Sequence, residues 1–200
     1  MVLLSWVISY LIGSISFSYL ISKKIAGIDI RSHGSGNAGA TNTLRVLGKG
    51  PAIAVLILDA LKGLAAMGIA HLLTGDPLAY AVAGLFAIAG HNWPIFFGFR
   101  GGKGIATTLG VALGFSPLAF LIGAVIAVIA IAITRYVSLG SLLLVTALPI
   151  VIYLLDKPAA FVWTSLILAI FAYIRHYDNI RNLLSGKERK IGEKAQRKLD

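Results

Sequence analysis

Seven apolar runs separated by short polar connections constrain the fold more than any other feature of this sequence. They cover about residues 1–21, 51–73, 79–98, 104–114, 117–134, 137–155 and 159–174. Apolar residues make up 58% of the 200 residues, more than a soluble domain carries. Because a helix needs about 20 apolar residues to cross a bilayer, the sequence predicts an all-α integral membrane protein. We expect residues 1–200 to form a single polytopic domain.

The basic residues indicate how many runs cross the membrane and in which direction. If all seven runs cross, sixteen of the eighteen lysines and arginines lie on one side. The run 104–114 is short for a span, but merging it with 117–134 would move the eight basic residues of 175–200 to the opposite side. Connections rich in lysine and arginine stay in the cytoplasm. We therefore expect seven transmembrane helices, the N-terminus outside, the C-terminus in the cytoplasm and a basic tail at about 182–200.

Composition also limits the chemistry. The chain has no cysteine, which excludes thiolate catalysis, disulfides and cysteine-ligated metals. Its carboxylates are scattered and its four histidines lie far apart in the sequence, so we expect no metal site and no cofactor. A net charge of +10 would suit nucleic acid. The basic residues are concentrated in connections and in the tail, however, as in membrane proteins, and we expect no nucleic-acid partner.

Three polar segments interrupt the apolar pattern, at residues 31–49, 91–104 and 175–181, and all three fall on the expected cytoplasmic side. The first contains Gly34-x-Gly36-x-x-Gly39, the spacing of a dinucleotide-binding fingerprint. That fingerprint requires a preceding strand and a βαβ unit. Here it follows a transmembrane run, so we do not expect a nucleotide.

We instead expect the first polar segment to bind a phosphate. A glycine-rich turn lets successive backbone N–H groups point at one anion, and a short helix at 39–48 would add its N-terminus. Arg45 offers a planar fork for phosphate oxygens. A glycine-rich turn packed against the helices, with no ligand, is the alternative interpretation. The candidate residues of this segment are Ser35, Gly36, Asn37, Gly39, Thr41, Asn42, Arg45 and Lys49.

The second polar segment carries a cation between glycines. Pro94 is expected to end the preceding helix and to leave His91 near its end. The sequence GGKG around Lys103 predicts another flexible, amide-rich turn. It is not a Walker loop, because Phe97 stands where glycine is required. For His91, a packing role and a chemical role are both open. The candidate residues are His91, Asn92, Gly102, Lys103, Gly104 and Thr107.

Two charged residues lie inside an apolar run. Asp59 and Lys62 are three residues apart and share one helical face of the run 51–73. Charges buried in membrane helices are costly and usually paired inside the protein. We therefore expect Asp59 and Lys62 to bond each other or to brace the first polar segment, with Asp59 in a supporting role. A structural pair and a direct contact between Lys62 and substrate are both open.

The third polar segment follows the last apolar run. Its basic residues, Arg175 and Arg181, are more typical of an anchor for lipid headgroups than of a catalytic element. His176 and Asn179 share a helical face, which makes both candidates for the site. Residues 186–200 are predicted to be a solvated tail without a chemical role.

Three motifs, in order, resemble those of the bacterial acyl-phosphate:glycerol-3-phosphate acyltransferase family. They are GSGNAGATNTLR from residue 34, GKGPAIAVLILDALKG from residue 48 and GHNWPIFFGFRGGKGIATTLG from residue 90. The resemblance covers most of residues 33–110, and RHYDNI from residue 175 is similar to the end of that family. Ala38 departs from the pattern, because many members have proline at that position.

The resemblance implies an enzyme of the bacterial inner membrane, with its active site facing the cytoplasm. Such an enzyme transfers a fatty acyl group from acyl phosphate to the sn-1 hydroxyl of glycerol 3-phosphate. The products would be lysophosphatidic acid and phosphate, in the first acylation of phospholipid synthesis. The expected partners are the two substrates and the membrane lipids.

Acyl phosphate is already an activated mixed anhydride, so positioning and charge stabilisation matter more than a strong nucleophile. We expect catalysis to involve Ser35, Arg45, His91 and Lys103. The hydroxyl proton would go to His91 or to the donor's own phosphate, and we favour the phosphate because no side chain has an evident orienting partner. The alternatives are a transporter of a phosphorylated solute, which predicts access from both faces, and a structural membrane protein.

A second histidine–carboxylate pair gives a direct test of this placement. His71 and Asp76 have the spacing by which a different, acyl-CoA-using class of glycerophosphate acyltransferases pairs a base with its carboxylate. His71 lies 22 residues beyond Lys49, about 33 Å along a helix, and hence at the opposite end of the span. We predict that the His71→Ala, Asp76→Ala double variant keeps near-parent turnover in an acyl-transfer assay. Ser35→Ala and Lys103→Ala should each lose most of it, and the reverse pattern would overturn the placement.

Overall fold

A computed structural model of the protein describes residues 1–193, and the regular structure of this part of the chain is helical. Lys194, Arg197 and Lys198 of the predicted basic tail lie outside the described residues. The helices are α1 (Val2–Gly13), α2 (Phe17–Ala26), α3 (Ala40–Leu47), α4 (Lys49–Thr74), α5 (Pro77–Asn92), α6 (Ile105–Phe115), α7 (Pro117–Thr134), α8 (Val137–Leu154), α9 (Ala159–Arg175) and α10 (Tyr177–Leu184). Two 3₁₀ turns, Ile30–Ser32 and Ile95–Phe97, lie in the polar connections.

Four segments are long and apolar enough to cross a membrane: Val2–Ala26, Lys49–Thr74, Pro117–Thr134 and Val137–Leu154. A fifth crosses if α9 and α10, which meet at a bend of 65°, count as one span. Helices α5 and α6 are shorter, with 16 and 11 residues. The all-helical membrane fold is therefore confirmed, whereas the count of seven crossings stays a prediction.

The outer surface of the bundle is apolar. Among large apolar side chains, Val128, Ile133 and Leu154 have 64%, 78% and 73% of their surface exposed. A surface that displays such side chains over several helices is suited to lipid rather than water, because soluble proteins rarely expose contiguous apolar patches.

The first apolar run differs from its prediction as one uninterrupted helix ending near residue 21. Helix α1 ends at Gly13, α2 starts at Phe17, and the chain continues in helical form to Ala26. At the break Ser16 has extended backbone angles. The carbonyl oxygen of Ile15 is thereby removed from the helical ladder and accepts a hydrogen bond from the Lys62 ammonium at 2.6 Å.

The predicted pair inside the second span is present. The Lys62 ammonium lies 2.8 Å from the Asp59 carboxylate, and their side chains are 3% and 1% exposed. The same ammonium lies 3.0 Å from Nδ1 of His91 on α5. One lysine therefore connects α4, α5 and the break between α1 and α2.

Close backbone approach at small residues brings the helices of the bundle together. Gly13 of α1 lies against the backbone of Ala87 on α5, and Gly110 of α6 lies against the carbonyl of Ala60 on α4. Small residues allow this approach, which membrane helices use because hydrocarbon gives no hydrophobic drive for association.

The contact of α4 with α6 predicts a sharp difference between two glycines. Gly110→Ala places a methyl group on the Ala60 carbonyl oxygen, so it should lower the free energy of unfolding by about 1–3 kcal/mol. Gly68→Ala is the matched control, because Gly68 is exposed on α4 with no neighbour for the new methyl group. Alanine also favours a helix there. Thermal unfolding in detergent measures both, and equal midpoints for the two variants would contradict the packing described.

Candidate active site

The three polar segments meet at one end of the bundle around a cavity of about 560 Å³. The first and second segments contribute their glycine-rich turns, and the third contributes the end of α9 and the start of α10. Residues that follow the third segment complete the wall. The lining residues are Gly34, Ser35, Gly36, Asn37, Arg45, Phe99, Arg100, Gly101, Lys103, Arg175, Asp178, Asn179, Asn182, Glu188 and Arg189. A larger groove of about 670 Å³ between α8 and α9 is lined mainly by apolar side chains. The cluster of charges lies in the polar cavity.

The first turn is shaped by glycines and held by one buried asparagine. Gly34 and Gly36 have φ angles of 64° and 73°, which side chains other than glycine rarely adopt. The Asn42 amide donates to the carbonyls of Ile30 and His33 at 3.1 and 2.9 Å, and its oxygen accepts the Ser35 N–H at 2.8 Å. Asn42 is therefore a support beneath the turn rather than part of the cavity wall.

The predicted cluster of free backbone N–H groups needs a correction. The N–H of Ser35 is donated to Asn42, that of Gly36 to the carbonyl of His33, and that of Gly39 to the carbonyl of Asn37. These three amides stabilise the turn itself, because a tight turn satisfies its own donors. These three N–H groups are therefore not free to bind an anion in the cavity.

The basic side chains give the cavity its charge. Five cations line it, against the carboxylates of Asp178 and Glu188; the five are Arg45, Arg100, Lys103, Arg175 and Arg189. Burial lowers the pKa of Lys103, and the nearby Glu188 carboxylate opposes this shift. Burial likewise lowers the pKa of Arg45, although a guanidinium stays charged. A bound dianion would favour the charged form of both groups.

Lys103 is held by a short chain of hydrogen bonds. Its ammonium donates to the side-chain oxygen of Asn179 on α10. The Asn179 amide donates to Oε1 of Glu188 at 2.6 Å, and the same oxygen accepts from the Ser138 hydroxyl at 2.7 Å. Glu188 is buried and lines the cavity. The prediction that residues 186–200 form a solvated tail is therefore wrong at Glu188.

Arg175 fixes the GGKG turn from the end of α9. Its Nε and Nη2 atoms donate to the carbonyl of Gly102 at 3.0 and 2.9 Å, and its guanidinium lies over the ring of Trp93. The expectation that Arg175 serves as a headgroup anchor is wrong, because its donors are directed at the backbone of the second segment. No local pattern in the sequence indicated this long-range contact.

Six of the residues predicted from the sequence line the cavity: Ser35, Gly36, Asn37, Arg45, Lys103 and Asn179. The others lie outside its wall: Gly39, Thr41, Asn42, Lys49, Asp59, Lys62, His91, Asn92, Gly102, Gly104, Thr107 and His176. His176 is buried, with its Nδ1 2.8 Å from the carbonyl of Ala172. Within residues 1–193, the buried side chains of Asn92 and Thr107 have no hydrogen-bond partner in the protein.

His91 does not reach the cavity. Its side chain is buried, with Nδ1 beside Lys62 and 3.5 Å from the Asp59 carboxylate. A carboxylate is thus near the His91 ring, but the ring nitrogen that faces it contacts the Lys62 ammonium. On the other edge of the ring, Nε2 lies against Gly102, and an added Cβ on that glycine would overlap it. Across the described residues, no three histidine, aspartate or glutamate side chains cluster as metal ligands.

The pair His71 and Asp76 has structural contacts of its own. Asp76 caps α5 by accepting the Leu78 N–H at 3.0 Å, and the His71 ring packs edge-on against Tyr80. Both residues lie at the C-terminal end of α4 and the start of α5, whereas the cavity adjoins the opposite ends of these helices.

Comparison with known proteins agrees with this architecture. A family profile described as glycerol-3-phosphate acyltransferase matches residues 3–186. A glycerol-3-phosphate acyltransferase of Halalkalibacterium halodurans is 54% identical over 96% of this chain and 98% of its own length. A protein of the same description from Clostridioides difficile is 44% identical over 95% of each chain.

Two solved structures have the same fold. Both are of PlsY (YgiH), described as an integral membrane glycerol 3-phosphate acyltransferase. Its glycerol 3-phosphate form superposes with a TM-score of 0.91 at 37% identity, covering 96% of each chain. Its lysophosphatidic acid form gives a TM-score of 0.87 at 35% identity. With the family profile over nearly the whole chain, these matches decide against a transporter or a purely structural protein: the chain belongs to the glycerol-3-phosphate acyltransferase family and is an integral membrane acyltransferase.

Proposed function

We propose that this enzyme transfers a fatty acyl group from acyl phosphate to the sn-1 hydroxyl of glycerol 3-phosphate. The products are lysophosphatidic acid and inorganic phosphate, in the first acylation of phospholipid synthesis. The observation that supports this most is the excess of cations around one cavity at the end of an apolar bundle. Both substrates carry a phosphate, and one of them carries a chain that belongs in lipid.

The chemistry needs no side-chain nucleophile. The sn-1 oxygen attacks the acyl carbonyl carbon and forms a tetrahedral intermediate. Collapse of this intermediate breaks the bond from carbon to phosphate oxygen and releases phosphate. Arg45 and Lys103 offset the charge of the two phosphates, and Ser35, Asn37 and Asn179 offer hydrogen bonds to their oxygens. Rate acceleration then comes from orientation and charge stabilisation.

The hydroxyl proton goes to the departing phosphate in this mechanism. His91 is an unsuitable base because its ring lies between Lys62 and Gly102 and does not line the cavity. A general base must come within hydrogen-bond distance of the proton that it accepts. The donor's phosphate oxygens meet this condition by their position beside the reacting carbon.

We further propose that all seven apolar runs cross the bacterial inner membrane, with the cavity on the cytoplasmic side. The lysines and arginines of the connections that border the cavity support this orientation. Helix α5 would be about 24 Å long at 1.5 Å per residue, so it depends on its flanking polar segments to reach the membrane surface. Glycerol 3-phosphate is a dianion and would reach this side directly from the cytoplasm.

A donor comparison tests the proposed reaction. Protein purified in detergent is given glycerol 3-phosphate with palmitoyl phosphate or, in a matched reaction, with palmitoyl-CoA. We expect release of phosphate and formation of lysophosphatidic acid with the acyl phosphate alone. Transfer from palmitoyl-CoA at an equal or higher rate would contradict the proposed donor, while leaving the family assignment intact.

Arg45→Lys should be harmful even though it preserves the charge. A lysine ammonium cannot replace the two parallel donors of a guanidinium on phosphate. We expect kcat/KM to fall at least about tenfold, the equivalent of about 1.4 kcal/mol in transition-state stabilisation. Arg181→Lys is the matched control, because Arg181 is exposed and outside the cavity wall. If both variants stay within twofold of the parent, Arg45 has no part in binding.

Cysteine labelling tests the orientation, and the cysteine-free parent gives no background. Lys157→Cys and Ser185→Cys place single thiols at exposed positions, in the α8–α9 connection and after α10. With an impermeant maleimide added to intact cells, we expect labelling at position 157 and none at position 185 until the membrane is opened. Labelling at 185 in intact cells would invert the orientation.

A further inference from the structure

Asp59, Lys62 and His91 form a charged cluster inside the bundle, outside the wall of the cavity. The Lys62 ammonium has three contacts, with the Asp59 carboxylate at 2.8 Å, the Ile15 carbonyl at 2.6 Å and His91 Nδ1 at 3.0 Å. The contacts with Ile15 and His91 are hydrogen bonds, and the contact with Asp59 is an ion pair, so the ammonium is paired on all three sides within the bundle. Lys62 is buried and does not line the cavity, so it does not contact a substrate bound there.

The contact with Lys62 determines the protonation of His91. The Asp59 carboxylate favours the charged form of Lys62, and a charged ammonium can only donate, so we assign Nδ1 of His91 as the acceptor, without a proton. The neutral ring then has its proton on Nε2. Neither nitrogen is available as a base, since Nδ1 is occupied by Lys62 and Nε2 is already protonated.

The other side of His91 supports the GGKG turn. The Gly102 N–H donates to the His91 carbonyl at 3.0 Å, and the Gly102 Cα lies directly against Nε2. The carbonyl of the same glycine accepts two hydrogen bonds from the Arg175 guanidinium. Gly102 is therefore clamped between the histidine and the arginine. The next residue is Lys103, whose ammonium lines the cavity.

We propose that Asp59, Lys62 and His91 act together as a positioning unit for Lys103. The ion pair inside the membrane orients the His91 ring, the ring fixes Gly102, and Gly102 sets the direction in which Lys103 enters the cavity. These three residues do not touch substrate, and they act through the turn. The role rests on the proposed function only in that Lys103 contacts a substrate phosphate.

A double neutral variant separates this role from simple stabilisation. Asp59→Asn with Lys62→Met removes both charges together, which a buried ion pair often tolerates, whereas removing one partner leaves a buried charge uncompensated. The readouts are the unfolding midpoint and the Kd for glycerol 3-phosphate, measured by titration calorimetry without any acyl donor. We expect a midpoint close to the parent's and a Kd weakened about tenfold, as for residues that orient a binding group.

His91→Asn provides the second variant. Asparagine keeps an acceptor for Lys62 near the Nδ1 position, but it leaves the space beneath Gly102 unfilled and cannot act as a base. We expect a weaker Kd for glycerol 3-phosphate and, in the transfer assay, an unchanged pH profile of kcat. The His71→Ala, Asp76→Ala double variant is the control for changes at charged and histidine positions elsewhere on α4 and at the start of α5.

Each outcome decides the proposal. A folded double neutral variant with the parent's Kd would show that the ion pair only stabilises the bundle, and would overturn the positioning role. If that variant does not fold, His91→Asn decides: a weakened Kd with the parent's pH profile supports the role, whereas an unchanged Kd or a changed pH profile overturns it. If acyl phosphate proves not to be the donor, these Kd values still hold, because they are measured without any acyl donor.

Discussion

A bilayer offers no water to a polar group, so each charge inside this bundle has to find its partners within the protein. Lys62 meets this constraint with a carboxylate of α4, a carbonyl freed by the break between α1 and α2, and a ring nitrogen of α5. One ammonium therefore holds α4, α5 and the break between α1 and α2 in fixed relative positions. The chain that leaves α5 continues from this fixed point into the GGKG turn.

The polar cavity is built on that support. Three segments that are distant in the sequence converge there, and their contacts bind them to each other: Arg31 donates to the Phe97 carbonyl at 2.7 Å, and Arg175 donates to Gly102. Hydrogen bonds between the segments therefore hold the backbone that carries these cations, at the edge of an apolar bundle. Such an arrangement suits a donor that is already activated, because charge and orientation then supply most of what the reaction needs.

The sequence predicted those parts of the structure that depend on local pattern. Apolar runs predicted helices, Pro94 predicted the end of α5, and the spacing of Asp59 and Lys62 predicted their ion pair. It failed where distant residues decide the outcome. In the sequence, Glu188 resembles any charged residue of a solvated tail. The structure shows that it accepts a hydrogen bond from Ser138, fifty residues away. Likewise, no residue near Ser35 in the sequence indicated that the Asn42 side chain would accept a hydrogen bond from the Ser35 N–H.

We infer that phosphate binds between Arg45 of the first polar segment and Lys103 of the second. A crystal structure of this protein with glycerol 3-phosphate tests it most directly. We predict phosphate oxygens within hydrogen-bond distance of both Arg45 and Lys103, with His91 still packed between Lys62 and Gly102. A phosphate bound away from these two cations, or a glycerol hydroxyl in contact with the His91 ring, would contradict it.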